Sequence, residues 1–488
     1  MGSSSALDPA AVRILEELNP WWKTGMTRQE PLPFRRRGVD ALVSRLRRPK
    51  GLIEIVRGPR QVGKTTALEQ VVASLLAGGT APGDLLFVNF DQEVLRAHAG
   101  GLLAIVRWFR SAIRGRAFEE GAPSYLLLDE VHKLPRWAED VKHLGDTFSL
   151  RMVVTGSSST LVARGGRESL AGRVLTTELP TFRFREVVEA WLPIGEKLPP
   201  VRPIEDLLKE SPGDIFEPYR SLRPQQRLAL RRGLERYYNR GGYPRLYNGD
   251  VSDDDWADYL TGTIIDRVLG VDVPDLFPVR NPRLLRWIYV EIARSTGQEI
   301  SQNRLAEFAN SAGFHTSQSI VGTYVHYLAD ALLIREFRRY PLAKRESSRT
   351  PSKITLTDLG ARNALFRGAP SLFESPPPVV APLVETLVQS VLRGSGLEAH
   401  FFRDYQDPRN PKSPVMEVDF VLEDRVGIVV PVEIKFRKKL DSKDFAGLSC
   451  FMNRFKSRAG VLVTLDTWEW NPVTRILCVP LLDFLLAF

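Results

Sequence analysis

The chain has 488 residues, of which 43% are hydrophobic and 26% are charged, and its formal net charge is +9. A length well above that of a single domain predicts several hydrophobic cores, and this composition excludes disorder on a large scale. The basic balance favours a polyanionic partner, nucleic acid before an anionic membrane, although a solvated basic surface without a partner gives the same value.

Three further features bear on the compartment and on a membrane partner. The only cysteines are Cys450 and Cys478, which excludes a disulfide framework and predicts a cytoplasmic protein. The first residues lack the basic and apolar regions of a signal peptide. No stretch approaches the roughly 18 uninterrupted apolar residues that a membrane span needs, so no membrane partner is expected.

The first chemical motif follows an apolar run, GLIEIV, that predicts a buried strand. The run leads into GPRQVGKTT, which fits G-x-x-x-x-G-K-[ST], and a segment with helical periodicity comes next. In that context backbone N–H groups close around phosphates, Lys64 meets the β and γ phosphates, and the Thr65 hydroxyl ligates Mg²⁺. ATP and Mg²⁺ are the predicted cofactors, with GTP left open. The predicted nucleotide-binding residues are Gly58, Pro59, Arg60, Gln61, Val62, Gly63, Lys64, Thr65 and Thr66.

Acidic and hydroxyl residues end two later strands. YLLLDE ends in Asp129, predicted to hold Mg²⁺ through water, and Glu130, predicted to polarise the attacking water. An acidic pair in this position can also cap a helix, but its place after the phosphate loop favours catalysis. The strand RMVVTGSSS offers hydroxyls that could sense the γ-phosphate, and the sequence does not choose among Thr155, Ser157 and Ser158.

The order of motifs GPRQVGKTT, LLLDE, VTGSS, SLAGR and a segment ending near FRE resembles a prokaryotic branch of AAA-type ATPases. The resemblance covers about 130 residues and implies an AAA-type P-loop ATPase core. It also implies that Arg173 acts on the γ-phosphate, from a neighbouring subunit of a homo-oligomer, with a hexamer expected. Arg164 and Arg167 are rivals for that role, and each of the three could instead be a surface arginine.

Two segments between the core and the C-terminal domain carry weaker signals. Residues 191–280 contain a proline-rich connector and the turn GGYP, and the resemblance implies a helical lid. Residues 281–370 contain three helices and two short strands joined by a basic loop, which resembles a winged helix that can bind DNA or only pack. The candidate DNA contacts are Thr316, Ser317 and Gln318 on the third helix and Arg338, Arg339, Lys344, Arg345 and Arg349 on the wing.

The last segment, residues 371–488, begins with ESPPPVVAP, whose prolines predict a linker. A helix with Glu385, a strand with Asp419 and a strand with Glu433 and Lys435 follow, in an order that resembles the PD-(D/E)xK nuclease core. The resemblance implies that Asp419 and Glu433 hold a second Mg²⁺ or Mn²⁺, Glu385 completes the shell and Lys435 positions water. Val418 stands where the family name has proline. The same acid–x–lysine pattern also occurs on ordinary half-buried strands.

The predicted fold is therefore α/β: an N-terminal segment (1–50), an AAA-type P-loop ATPase core (51–190), a helical lid and connector (191–280), a winged helix (281–370) and a restriction-endonuclease-like α/β domain (371–488). The predicted function is an ATP-driven motor or remodeller on DNA, specific for DNA structure rather than sequence, with nuclease activity left open. A nucleotide-dependent regulatory or scaffold switch is the alternative, and a protein-remodelling ATPase is a third possibility.

Overall fold

A computed structural model describes residues 7–27, 34–48, 52–97, 101–157, 170, 172–195, 197–341, 352–392, 396–410 and 412–488. They form two units, the first ending at Pro180 and the second beginning at Thr181. None of the helices in these ranges is both long and apolar enough to cross a lipid bilayer.

The first unit is built on a parallel five-stranded sheet in the order β2-β3-β4-β1-β5. Its central strands are continuous apolar runs, as expected for strands covered on both faces, and all six residues of β3 are buried. The strands are β1 (Ile53–Gly58), β2 (Leu85–Asn89), β3 (Ser124–Asp129), β4 (Leu150–Ser157) and β5 (Val174–Glu178). The helices are α1 (Pro9–Leu18), α2 (Trp21–Thr24), α3 (Val39–Leu46), α4 (Lys64–Ala77), α5 (Glu93–Ala97), α6 (Gly101–Trp108) and α7 (Trp137–Thr147).

The N-terminal helix α1 protects the open edge of this sheet. Asn19, which ends the helix, donates from Nδ2 to the Phe87 carbonyl at 2.8 Å and accepts the Phe87 N–H at 2.7 Å. Both hydrogen-bonding groups of Phe87 on the edge strand β2 are thereby satisfied, as a neighbouring strand would satisfy them. Part of the predicted N-terminal segment thus belongs to the sheet's packing.

The second unit begins with helices α8 (Phe184–Trp191), α9 (Pro212–Arg220), α10 (Pro224–Arg240) and α11 (Trp256–Asp258). The GGYP turn follows α10, and Gly242 donates its N–H to Asp358 Oδ2 at 2.9 Å. A Cβ at Gly242 would lie 2.0 Å from the Phe182 carbonyl oxygen. The turn therefore has a structural role, because only glycine allows this close backbone approach.

A small three-stranded sheet in the order β6-β9-β7 follows, with three capped helices beside it. Ser301 and Ser317 accept backbone N–H groups at the starts of two of these helices. The elements are α12 (Pro282–Arg294), β6 (Glu299–Ile300), α13 (Gln302–Ser311), α14 (Gln318–Asp330), β7 (Ile334–Phe337), β8 (Arg339–Tyr340), β9 (Ser352–Leu356) and α15 (Leu359–Leu365).

The predicted linker at ESPPPVVAP is wrong, because these prolines begin a helix, α16 (Pro377–Val391). Pro377 occupies the first helical position, where its fixed φ suits the helix and no N–H is needed. A proline cluster therefore marks a helix start here instead of an extended connector.

The rest of the unit is a seven-stranded sheet in the order β14-β15-β13-β12-β11-β10-β8. Strand β8, from the segment before α16, pairs in parallel with β10, so the two segments share one sheet. The elements are β10 (Glu398–Tyr405), β11 (Val415–Glu423), β12 (Val429–Lys435), α17 (Ala446–Phe455), β13 (Gly460–Thr464), β14 (Glu469–Asn471), β15 (Ile476–Pro480) and α18 (Leu481–Ala487). The narrower domain boundaries within this unit remain predictions.

Candidate functional site

The phosphate loop connects β1 to α4, at the carboxyl edge of the first sheet. Gly63 precedes the helix with φ 88°, and a Cβ at Gly58 would lie 2.3 Å from the Leu179 carbonyl oxygen. Both positions need glycine, the first for its conformation and the second for space. Lys64 is buried, and its ammonium donates to the carbonyl oxygens of Gly58 at 3.3 Å and Pro59 at 3.1 Å. The loop thus keeps the lysine at the place where phosphates are expected.

Asp129, at the end of β3, links this strand to β4 and to the start of α4. Thr65 donates to one carboxylate oxygen at 2.7 Å, and Thr155 donates to the other. Asp129 and Thr155 are fully buried. Two carboxylate oxygens and a hydroxyl at one edge are the hard oxygen ligands that Mg²⁺ prefers, so Thr65 and Asp129 fit the metal role predicted for them.

The protonation of Asp129 depends on burial and on these hydroxyls. Burial raises the pKa of Asp129, while the hydrogen bonds from Thr155 and Thr65 lower it. A buried carboxylate without a cation favours its neutral form, whereas a bound cation would favour the ionised form. The position is therefore suited to hold a cation.

Glu130 follows β3 in a left-handed conformation, with φ 51°. Its N–H donates to Thr155 Oγ1 at 3.1 Å, and its Oε1 lies 4.0 Å from Lys64 Nζ. His132 Nδ1 lies 3.4 Å from the other carboxylate oxygen. No sequence motif pointed to His132. The Glu130 side chain is 21% exposed, so water can reach it.

The predicted sensor residues have different places. Thr155 uses its hydroxyl on Asp129 and Glu130, which makes it a positioning residue for the acids. Ser157 ends β4 with its backbone beside Gly58, and Ser158 lies outside the described residues.

Arg173 lies at the edge of the sheet away from the phosphate loop. Its carbonyl accepts the Ile53 N–H at 2.9 Å, at the amino end of β1, about 17 Å along the strand from Gly58. Its guanidinium pairs with Asp146 at 3.1 Å, and both side chains are half exposed. Arg173 therefore does not reach the phosphate loop of its own chain. Arg164 and Arg167 lie outside the described residues.

The second unit brings together the four residues predicted for a nuclease. Asp419 Oδ2 accepts the Ile434 N–H at 2.9 Å, and Glu433 Oε2 accepts the Asp419 N–H at 3.0 Å. Lys435 pairs with Glu433 on the same face of β12, as strand alternation predicted. Burial, with the charge of Asp419, raises the pKa of Glu385 and of Glu433 to about 8.

A fifth residue, which the sequence did not reveal, lies in this cluster. Lys353 on β9 donates from Nζ to Asp419 Oδ1 at 3.0 Å and pairs with Glu385. Among the described residues, the side chains that bring three potential metal-ligand atoms within 4.8 Å of one another are those of Glu398, His400 and Glu423. This group includes none of the four predicted nuclease residues. As arranged, the acids of the cluster do not fit a divalent metal, because a lysine ammonium lies against two of them.

The candidate DNA contacts are only partly described. Arg338, just before β8, and Arg339, its first residue, are both exposed. A guanidinium nitrogen of Arg339, Nη2, lies 3.7 Å from Asp404 Oδ1. Lys344, Arg345 and Arg349 lie outside the described residues. On α14, Ser317 uses its hydroxyl to cap the helix.

Comparison with known proteins identifies relatives across several prokaryotes. The chain is 21% identical over 310 residues to an uncharacterized protein of Haemophilus influenzae, 64% of this chain and 68% of that protein. Uncharacterized proteins of Methanocaldococcus jannaschii (22%; 58% of this chain, 55% of that protein) and Mycobacterium tuberculosis (23%; 66% and 58%) are similar to it. The chain thus spans little more than half the length of the latter two.

Two solved structures are similar over larger shares of the chain. A Walker-type ATPase of Pyrococcus abyssi is 14% identical, with a TM-score of 0.42, over 70% of this chain and 98% of that one. The ORC1 protein of Aeropyrum pernix, solved in complex with DNA, is 15% identical, with a TM-score of 0.25, over 71% and 92%.

Family models cover two segments. One described as a domain of unknown function (DUF8612) matches residues 231–371, and one described as an AAA domain matches residues 50–188. The second match covers the sheet, the phosphate loop and the acids described above. Residues 50–188 therefore form an AAA-type domain that carries the phosphate loop and these acids.

Proposed function

We propose that this protein is a Mg²⁺-dependent ATPase of AAA type that acts on DNA as a motor or remodeller. The observation that carries the ATPase assignment is the position of Asp129, whose two oxygens are held by Thr65 and Thr155 beside Lys64. Lys64 would bind the phosphates, and Thr65 with Asp129 would hold Mg²⁺. Bound Mg²⁺ neutralises phosphate charge. Glu130 would orient water and accept its proton.

Two variants separate binding from hydrolysis. Lys64→Ala should lose nucleotide binding, because the phosphates lose their cation, whereas Glu130→Gln should bind ATP and hydrolyse it slowly. Fluorescent-nucleotide binding and phosphate release measure the two steps. Glu139→Gln, an exposed acid on α7, is the matched control. Normal turnover by Glu130→Gln would contradict the assignment of the catalytic acid.

We infer that Arg173 serves a neighbouring copy, since it lies far along the sheet from its own phosphate loop. A head-to-tail assembly in which each subunit contributes this arginine to the next is a ring or a filament, and a hexameric ring is the form we propose. Arg173 would replace its pairing with Asp146 by contact with the neighbour's γ-phosphate.

We propose DNA as the partner of the second unit. The order α12-β6-α13-α14-β7-β9 supports a winged helix, with β8 between the last two strands pairing in the seven-stranded sheet. The exposed Arg338 and Arg339 follow β7. The net charge of +9 supports contacts to phosphates. Incubating duplex, single-stranded, forked and four-way DNA with the protein, with and without ATP, tests this assignment by gel mobility.

The order α16-β10-β11-β12-α17-β13 supports a PD-(D/E)xK nuclease-like fold for the last segment. We assign no cleavage step to it, because Lys353 lies against Glu385 and Asp419. The same observation favours the second candidate, a nucleotide-dependent regulatory or scaffold switch that neither translocates on DNA nor cuts it. ATP-dependent movement along DNA, measured by displacement of a bound protein block, would distinguish the motor from the switch.

A further inference from the structure

Lys353 reaches from one sheet of the second unit to the acids of another. It lies on β9, paired with β6 through Glu299 and with β7 through Phe337. Its side chain is 8% exposed, and its ammonium lies 5.5 Å from the centre of the Phe420 ring. The strand pairings fix the backbone of Lys353, so the position of its ammonium follows from the fold.

Two ammonium groups, those of Lys353 and Lys435, lie against the acids of this cluster. Three carboxylates, those of Glu385, Asp419 and Glu433, converge on Lys353 and Lys435. Lys353 Nζ lies 3.0 Å from Asp419 Oδ1 and is paired with Glu385, and Lys435 is paired with Glu433. Each carboxylate of the cluster therefore has an ammonium group beside it.

An ammonium and a divalent metal compete for the same oxygens. A metal at this position would need Asp419 Oδ1, which accepts from Lys353 at 3.0 Å, and the Glu385 oxygen paired with the same ammonium. Mg²⁺ approaches its oxygen ligands to about 2.1 Å, so it cannot share them with a second cation at this separation without strong repulsion.

We propose that the ammonium of Lys353 is the resident cation of this acid cluster and excludes a divalent metal from it. The cluster then joins β9 to the seven-stranded sheet as a charged contact, and the domain does not cleave DNA in this arrangement. The inference deepens the proposal of a nuclease-like fold in the last segment.

The test counts bound Mn²⁺ in the full chain, by electron paramagnetic resonance of the free ion. Wild type is compared with Lys353→Gln and with Lys353→Gln combined with Asp419→Asn. Lys443→Gln, an exposed lysine before α17, is the control. Lys353→Gln should bind one Mn²⁺ more than wild type and the control, and the double variant should lose it. Any Mn²⁺ bound at the phosphate loop is the same in all four proteins, so it cancels when their Mn²⁺ counts are compared.

Equal Mn²⁺ binding by wild type and folded Lys353→Gln would overturn the proposal. If Lys353→Gln lacks a cooperative melting transition, Lys353→Met, which keeps the stem over Phe420, replaces it. The wild type alone also decides: an Mn²⁺ that Asp419→Asn removes from the wild type would show that the ammonium does not exclude metal. Loss of ATP hydrolysis in every protein would instead contradict the ATPase proposal and leave the Mn²⁺ counts standing.

Discussion

Replacing Thr155 by valine removes one hydroxyl from the carboxyl edge of the first sheet and keeps the shape of the side chain. That hydroxyl donates to Asp129 and accepts the Glu130 N–H at 3.1 Å. Because Thr155 is fully buried, water cannot replace it. The variant therefore leaves Asp129 with one donor fewer and the Glu130 N–H without this acceptor.

The size of the expected loss of ATP hydrolysis follows from the strength of the hydrogen bond between Thr155 and the Asp129 carboxylate. A hydrogen bond to an ionised partner contributes about 1.5–3 kcal/mol. If that bond orients Asp129 and Glu130 in the transition state, ATP hydrolysis should fall about 10- to 150-fold, at about 1.4 kcal/mol for each tenfold change. Nucleotide affinity without Mg²⁺ should change little, because Lys64 and the loop keep their contacts.

Thr155→Val should also shift the pH dependence. The Thr155 hydrogen bond lowers the pKa of Asp129, so its loss raises that pKa further. Mg²⁺ needs the ionised carboxylate, and the acid limb of the ATPase profile should move to higher pH. Phosphate release measured against pH and Mg²⁺ concentration, with Thr176→Val on β5 as an exposed control, tests both effects. Unchanged turnover and pH profile in a folded Thr155→Val would refute the positioning role.

Three other perturbations address assembly, DNA and packing. Arg173→Ala should cut hydrolysis in the assembled state about 10³-fold with little effect on nucleotide affinity; wild type that sediments as a monomer with ATP and DNA at full turnover would contradict the shared site. The logarithm of the DNA-binding constant should fall with the logarithm of salt concentration, with a slope of about −0.9 for each neutralised phosphate, and binding should show no sequence preference. An affinity that does not change with salt would exclude phosphate contacts. Gly242→Ala should lower the free energy of unfolding of the second unit by about 1–3 kcal/mol, because its Cβ would lie 2.0 Å from the Phe182 carbonyl oxygen. Gly262→Ala, in the helical segment Tyr259–Asp266 with nothing within 4 Å of a Cβ, is the control and should not lower the melting temperature.

Local motifs predicted the loop between β1 and α4 and the elements on either side of it. The residues from Gly58 to Thr66 are contiguous, so their glycine and lysine spacing fixes the loop between β1 and α4 whatever surrounds it. The helix starts at Ser301 and Ser317 were equally local, since a cap satisfies N–H groups two or three residues away.

Prediction from local sequence was wrong where the same residues are compatible with two different structures. The prolines from 376 onward fit an extended linker and a helix start, and the burial of α16 against the second unit decided for the helix. The sequence also offered Thr155 as a phosphate sensor, which stays a prediction, and the strand order β3-β4-β1 adds that its hydroxyl donates to Asp129.

The sequence by itself determined the phosphate loop, the acids after β3 and the pairing of Glu433 with Lys435, because each depends on spacing within one or two adjacent elements. Only the tertiary structure decided that Arg173 lies at the far edge of its sheet and that Lys353 lies among acids 32 and 66 residues away. Contacts over such separations depend on strand order and register, which hydrophobic periodicity leaves unspecified.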